Sequence, residues 1–251
     1  MRALRLPLRR GLGLSVFVYA LSGCELVVDA NDYVVDGTTP SGASGTSAAA
    51  GGSVTTCPAD MRPVVGGPSG NFCVDTYEVD AKAFADCKQQ GQCPQDGAKV
   101  GQQCIPGTPG MPANCLTWEQ ANAYCASKGR RLPTEPEWKF AAVGTSGNLY
   151  PWGSMSPSDQ ACINRVDFSP GGSQGPCKLT DHPKDISVFD VFGMGGNVHE
   201  WTADQGKVMG DHVFKGGSWK QELYDVWNVQ RSGAGHQAED AVGFRCAVTL
   251  K

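Results

Sequence analysis

Histidine, positive charge and long apolar runs are all in short supply in this chain. Only 4 of its 251 residues are histidine: His182, His199, His212 and His236. They are widely spaced, with no pair at helical ligand spacing, so neither a two-histidine metal helix nor a facial triad is spelled out. Lys and Arg total 21 against 25 Asp and Glu, a formal net charge of −4. A nucleic-acid binder needs a basic face to displace counterions, and that partner class is excluded. The apolar stretch at residues 12–21 is too short to cross a bilayer as a helix. There is also no Cys-x2-Cys pair with a matching second pair. Cys87 and Cys93, with five residues between them, fit no common zinc spacing. Beyond Gly144 no 3.6-residue apolar periodicity survives.

What is present at the N-terminus describes delivery. Arg2, Arg5, Arg9 and Arg10 precede the apolar stretch, which ends in Leu21-Ser22-Gly23-Cys24. Small residues leading directly to a cysteine resemble a bacterial lipobox. On that reading residues 1–23 are a lipoprotein signal peptide and Cys24 becomes a lipidated N-terminus. Its acyl chains would anchor the protein, each buried methylene contributing about 0.8 kcal/mol. The expected location is the cell envelope, lipid-anchored to a bacterial membrane. The leader holds four arginines and no acid, so its removal takes the net charge from −4 to −8. Residues 37–56 are almost entirely Gly, Ser, Thr and Ala, which cannot bury a core. Residues 24–56 therefore read as a lipidated stub and flexible linker; its Gly/Ser/Ala part has a mean reach of roughly 25 Å. Residues 57–251 form the folded domain.

The chain has 11 cysteines, and setting Cys24 aside leaves 10. An even number in an exported protein predicts disulfides rather than free thiols. Cys162 with Cys177 would close a local loop. The group Cys57, Cys73, Cys87, Cys93, Cys104 and Cys115 stays open at this level.

Two helices are legible from their caps. Thr117-Trp118-Glu119-Gln120 is a capping box, followed by Ala121, Tyr124 and Cys125 on one face and a left-handed stop at Gly129. Thr134-Glu135-Pro136-Glu137 repeats the device, with Pro136 in the first turn and Trp138, Ala141 and Ala142 facing inward. A third helix starts at Asp80 and carries Phe84 and Cys87 on one side. After Gly144, glycine and proline recur every few residues and predict short strands and ordered loops. Phe72-Cys73-Val74-Asp75-Thr76-Tyr77-Glu78-Val79 resembles the strand with which the domains of one known family begin.

An ordered series of words then runs from Trp118 to Cys246. Leu132-Pro133-Thr134-Glu135-Pro136-Glu137-Trp138 is followed by Tyr150-Pro151-Trp152-Gly153 and Gly196-Asn197-Val198-His199-Glu200-Trp201. Gly216-Gly217-Ser218-Trp219 and Gly243-Phe244-Arg245-Cys246 complete it. The set resembles the formylglycine-generating-enzyme family, also called the sulfatase-modifying-factor family. The resemblance covers about residues 72–248 and implies the fold class: α+β, an irregular, loop-rich, C-type-lectin-related single domain with disulfides. It also implies a bridge between Cys125 and Cys246. Tryptophans 118, 138, 152 and 201 are expected in the core, and Glu137 is expected to satisfy buried backbone amides.

Two positions break the family's pattern. Catalytic members carry a copper-binding cysteine pair, and on this chain those positions fall at Gln221 and Val226. Soft Cu(I) wants thiolates, so copper is not expected. Ser218 matches an active-site serine but has no activating base beside it. The resemblance also implies a calcium site built from the carbonyls of Gly196 and Val198 and the Glu200 carboxylate. Its Asn or Asp ligand falls at Gly193, one oxygen short of the usual set. A second calcium site would use the Asn164 side chain and the Arg165 carbonyl, with Asp181 or Asp185 as the distal carboxylate. His199 stands where the family carries tryptophan.

Two function classes follow. The first is an envelope lipoprotein whose domain binds a peptide, glycan or protein through the surface around Ser218, Trp219, Lys220, Gln221 and Arg231, without oxidase chemistry. The alternative is a formylglycine-generating-type oxidase, or another family enzyme, acting on protein or small-molecule thiols. Gln221 and Val226 favour the first.

Overall fold

Glycine-rich sequence and paired cysteines build a fold of short elements held by covalent and polar cross-links. The computed structural model describes residues 53–54, 56–95, 99–100, 103–155, 159–163, 165, 174–221, 232–235 and 238–251. Cys24, Asn164, Val226 and Arg231 lie outside them. All described residues belong to the unit Thr46–Lys251.

One sheet joins the two ends of this unit. Strands β2 (Met61–Gly67) and β3 (Gly70–Asp75) form an antiparallel hairpin, and β10 (Ala247–Leu250) pairs antiparallel with β3. The outer strand β1 (Ser53–Val54) pairs parallel with β10. The second sheet has the order β7 (Ser232–Gly235), β6 (His212–Lys215), β5 (His199–Gln205), β9 (Val242–Phe244). Its β5–β6 and β6–β7 pairs are antiparallel and β5–β9 is parallel. A third, minimal pair joins β4 (Lys99–Val100) to β8 (Ala238–Glu239).

The helices form where the caps predict. Asp80 accepts from the amides of Lys82 (2.8 Å) and Ala83 (3.2 Å) to start α1 (Ala81–Gln89). Both expected capping boxes are complete at α2 (Trp118–Ser127) and α3 (Glu135–Val143). Gly129 and Gly144 follow them at φ 68° and 57°, the left-handed region where a β-carbon is disfavoured. Phe84 and Tyr124 both meet Phe244 edge-on, at centroid distances of 6.0 and 5.4 Å, which locks α1 and α2 to β9. Trp138, Ala141 and Ala142 of α3 pack with Val64, Phe72 and Val74 of the first sheet.

The opening strand is shorter than its sequence suggests, and it is not the first. The ladder ends at Asp75, whose carboxylate accepts from the Cys246 amide (2.7 Å) while Thr76 turns to donate to the Asp60 carbonyl (3.0 Å). Tyr77-Glu78-Val79 therefore leaves the sheet and carries Glu78 inward. Trp138 and Trp201 are fully buried, whereas Trp118 and Trp152 are half-buried.

All ten described cysteines are paired. The Cys125–Cys246 bridge joins α2 to the end of the chain, and Cys162–Cys177 closes its local loop. The six cysteines left open pair with their nearest neighbours: Cys57–Cys73, Cys87–Cys93 and Cys104–Cys115.

Candidate functional site

The family words converge on one buried polar centre and one partly open edge beside it. Arg245, from the Gly-Phe-Arg-Cys word, is completely buried at the middle of the centre. Its Nε and Nη2 donate to Glu200 Oε2 and Oε1, both at 2.7 Å. Nη1 reaches the Asp75 carbonyl (3.0 Å) and Nη2 the Phe192 carbonyl (2.8 Å). Trp138 Nε1 donates to the same Glu200 carboxylate at 2.6 Å. This is a bidentate, charge-assisted arrangement in a low-dielectric interior.

Two more acids enter this centre. Glu78 Oε2 lies 3.9 Å from Arg245 Nη2, and Oε1 accepts from Asn197 Nδ2 (3.0 Å). Asp185 accepts from the Gly195 amide on both oxygens at 3.0 Å. Burial pushes Asp185 up to about 7, against the Gly195 amide and Arg245. Burial likewise drives Glu78 upward, with Arg245 opposing and Glu200 reinforcing. Glu200 thus holds the guanidinium directly, Glu78 approaches it at 3.9 Å, and Asp185 lies in its field.

Asn197 is the hub between this centre and the edge. It adopts φ 67°. Its amide donates to the Cys162 carbonyl (2.8 Å), its Oδ1 accepts from the Cys177 amide (2.9 Å), and its carbonyl accepts from Trp219 (2.8 Å). Gly196, before it, has no room for a side chain, because a β-carbon there would sit 2.7 Å from the Cys162 carbonyl.

At the edge, Ser218 and Trp219 are 1% exposed and Gln221 9%. The expectation of a binding surface through Ser218, Trp219 and Gln221 is therefore corrected: only Lys220 of this run is well exposed. The Gly-Gly-Ser-Trp turn buries its indole against Val198, Ala241 and the Cys162–Cys177 pair. Lys220 lies over that ring, 5.2 Å from its centroid, and ion-pairs with Asp240. Gln221 Oε1 accepts from the Ser218 amide (3.1 Å), and the Gln221 amide donates back to the Ser218 carbonyl (3.0 Å). Ser218 Oγ is buried with no hydrogen-bond partner among the described residues. His199 is half-buried, with Nδ1 2.8 Å from the Gly216 carbonyl.

Among the described residues, the donors at the family's metal positions are already engaged. At the copper position Gln221 supplies an amide already engaged with Ser218, and the ten described cysteines are disulfide-bonded. For calcium, both Glu200 oxygens are held by Arg245 and Trp138, so an ion would have to displace a buried guanidinium. At Gly193 an added β-carbon would overlap the Glu78 carboxylate, so Glu78 fills the space an Asn or Asp ligand would need. Of the second set, the Arg165 carbonyl accepts from Gln174 (3.0 Å) and Asp181 from the Lys178 amide (3.2 Å). Glu137 does hold backbone, accepting from the Thr134 amide (2.9 Å) while pairing with Arg131. The sequence words contain Glu78, Asn197 and Arg245, but nothing local in them signals that these three meet.

A family model described as the sulfatase-modifying factor enzyme 1-like domain matches residues 36–250. Among curated proteins, the mouse "Inactive C-alpha-formylglycine-generating enzyme 2" is 33% identical over 151 residues, covering 55% of this chain and 49% of that protein. The mouse "Formylglycine-generating enzyme" is 29% identical over 164 residues, covering 54% and 44%. The chain thus spans about half the length of the curated relatives it matches. Among solved structures, PvdO from Pseudomonas aeruginosa superposes with a TM-score of 0.58 at 22% identity, covering 72% of this chain and 81% of that one. That likeness speaks for the fold alone.

Proposed function

This chain belongs to the sulfatase-modifying factor enzyme 1-like family, and on that premise we propose that it is an envelope lipoprotein with a non-oxidase binding domain. The observation that carries the reading is Gln221. Where catalytic relatives place a copper thiolate, its side chain closes a tight ring with the Ser218 backbone. An amide oxygen is a poor ligand for Cu(I). The similarity to a mouse protein named as inactive points the same way.

The binding role rests on the exposed rim of that turn. Lys220, stacked on Trp219 and paired with Asp240, presents a positioned charge beside Gln221. A peptide, glycan or protein surface offering a carboxylate or hydroxyl suits it. The anchor rests on Leu21-Ser22-Gly23-Cys24.

Two measurements test the proposal. Soluble domain with its disulfides formed is loaded with Cu(I) and given oxygen and a Cys-x-Pro-x-Arg peptide, with mass spectrometry as the readout. No formylglycine is expected; conversion would make this an oxidase with an unfamiliar ligand set. Separately, Cys24→Ala should abolish incorporation of a labelled fatty acid and release the chain from the membrane fraction. Unchanged fractionation would remove the anchor from the reading.

A further inference from the structure

We propose that Cys162, Cys177 and His182 form a latent binding site for a single thiophilic cation, Zn(II) or Cu(I), exposed when their disulfide is reduced. Among the described residues this is the one group of cysteine and histidine ligand atoms close enough to share an ion: both sulfurs and an imidazole nitrogen lie within 4.8 Å of one another. His182 is half-buried, and its Nδ1 is buried with no hydrogen-bond partner among the described residues. A buried ring nitrogen left unpaired is costly.

The geometry does not depend on the sulfur–sulfur bond. Asn197 holds both cysteine backbones, donating to the Cys162 carbonyl (2.8 Å) and accepting from the Cys177 amide (2.9 Å). Trp219, Val198 and Ala241 share one buried cluster with both cysteines. Between Cys177 and His182 the chain makes a turn, Asp181 amide to Lys178 carbonyl at 3.1 Å, and the His182 carbonyl accepts from Asp185 (3.0 Å). Opening the bond would therefore leave three ligand-bearing segments in place. A tetrahedral ion with sulfur at about 2.3 Å and nitrogen at about 2.0–2.1 Å needs ligand atoms only roughly 3.5–3.8 Å apart. The ligand atoms already lie within 4.8 Å of one another.

The chemistry balances with an external dithiol. It reduces the Cys162–Cys177 bond by two electrons and two protons and is itself oxidised to a disulfide. The two protein thiols then give up their protons to bind the cation as thiolates beside a neutral imidazole. Three protein ligands leave one position open for water or a partner's donor, the pattern of an open zinc site. Two thiolates and an imidazole also suit Cu(I).

The test uses the whole chain, reduced under native conditions without oxygen, freed of reductant, and titrated with Zn(II), Cu(I) or the spectroscopic substitute Co(II). The expected result is one ion per chain with thiolate-to-Co(II) charge-transfer absorption, and none bound by the oxidised protein. Cys162→Ser/Cys177→Ser should lose the signal. His182→Ala, which keeps the disulfide and its fold, should weaken binding at least tenfold once reduced. Competition between the two ions distinguishes zinc from copper. Binding that survives the double substitution, or that ignores His182→Ala, would overturn the site, as would a reduced chain that takes up no ion.

Discussion

Arg245 illustrates how one side chain carries more than its motif discloses. It is wholly buried, donates to Glu200 twice and to two backbone carbonyls, and leaves Glu78 and Asp185 within its field. Removing one partner of such a network strands the other charges in low dielectric, at a cost of about 3–5 kcal/mol. Arg245→Leu should therefore lower the stability measured by denaturant unfolding by that amount, and adding Glu200→Gln should recover part of it. A loss under about 1 kcal/mol would mean the network is not held as described. The sequence shows Arg245 and Glu200 plainly, yet they are 45 positions apart, and Asn197 and Glu78 are 119 apart. No local signal joins residues at such range. Gly193 is the same case in reverse: its sequence shows a missing ligand, and only the fold shows Glu78 standing in that space.

Helices were the legible elements because their signals are local. Thr117 with Gln120 and Thr134 with Glu137 exchange hydrogen bonds across three residues, a distance that any reading of the chain spans. Thr117→Ala leaves the Gln120 amide without its acceptor and should cost about 1 kcal/mol. For a domain of this size that lowers Tm by roughly 2–4 °C, measurable by thermal circular dichroism. An unchanged Tm would show the cap to be decorative. Strands were less legible. The two sheets close through parallel pairs at β1–β10 and β5–β9, contacts between chain segments with no turn between them to announce register. The six early cysteines, left open in the sequence, pair in simple succession. Short loops were the available clue, and ten thiols allow too many alternatives for that clue to decide.

Across the whole molecule the buried carboxyls set a pH response. Burial, opposed by Arg130, pushes Asp75 up to about 6, and it pushes Asp185 up to about 7 and Glu78 upward too. Each keeps its proton in the folded chain after the unfolded chain has lost it. Their stabilising contribution is complete below the ordinary carboxylate range and is lost as pH rises through the folded values. Glu137 runs the other way. Burial pushes it up, but Arg131 and the Thr134 amide outweigh that and lower it, so its contribution fades as pH falls. Tm should accordingly be higher near about pH 5 than near about pH 8, and Asp185→Asn should flatten that slope. A Tm that climbs toward alkaline pH would contradict the assignment. The same architecture also dictates how the domain would answer a mechanical load. Because β1 runs parallel to β10, force drawn between its N-terminal side and the C-terminal end meets their two-residue ladder in shear. Should that ladder yield, unravelling from the N-terminal side stops at once, since Cys57 is bonded to Cys73 in the middle of the first sheet. Under tension the domain would give by a few residues and then hold, a fuse backed by a covalent stop.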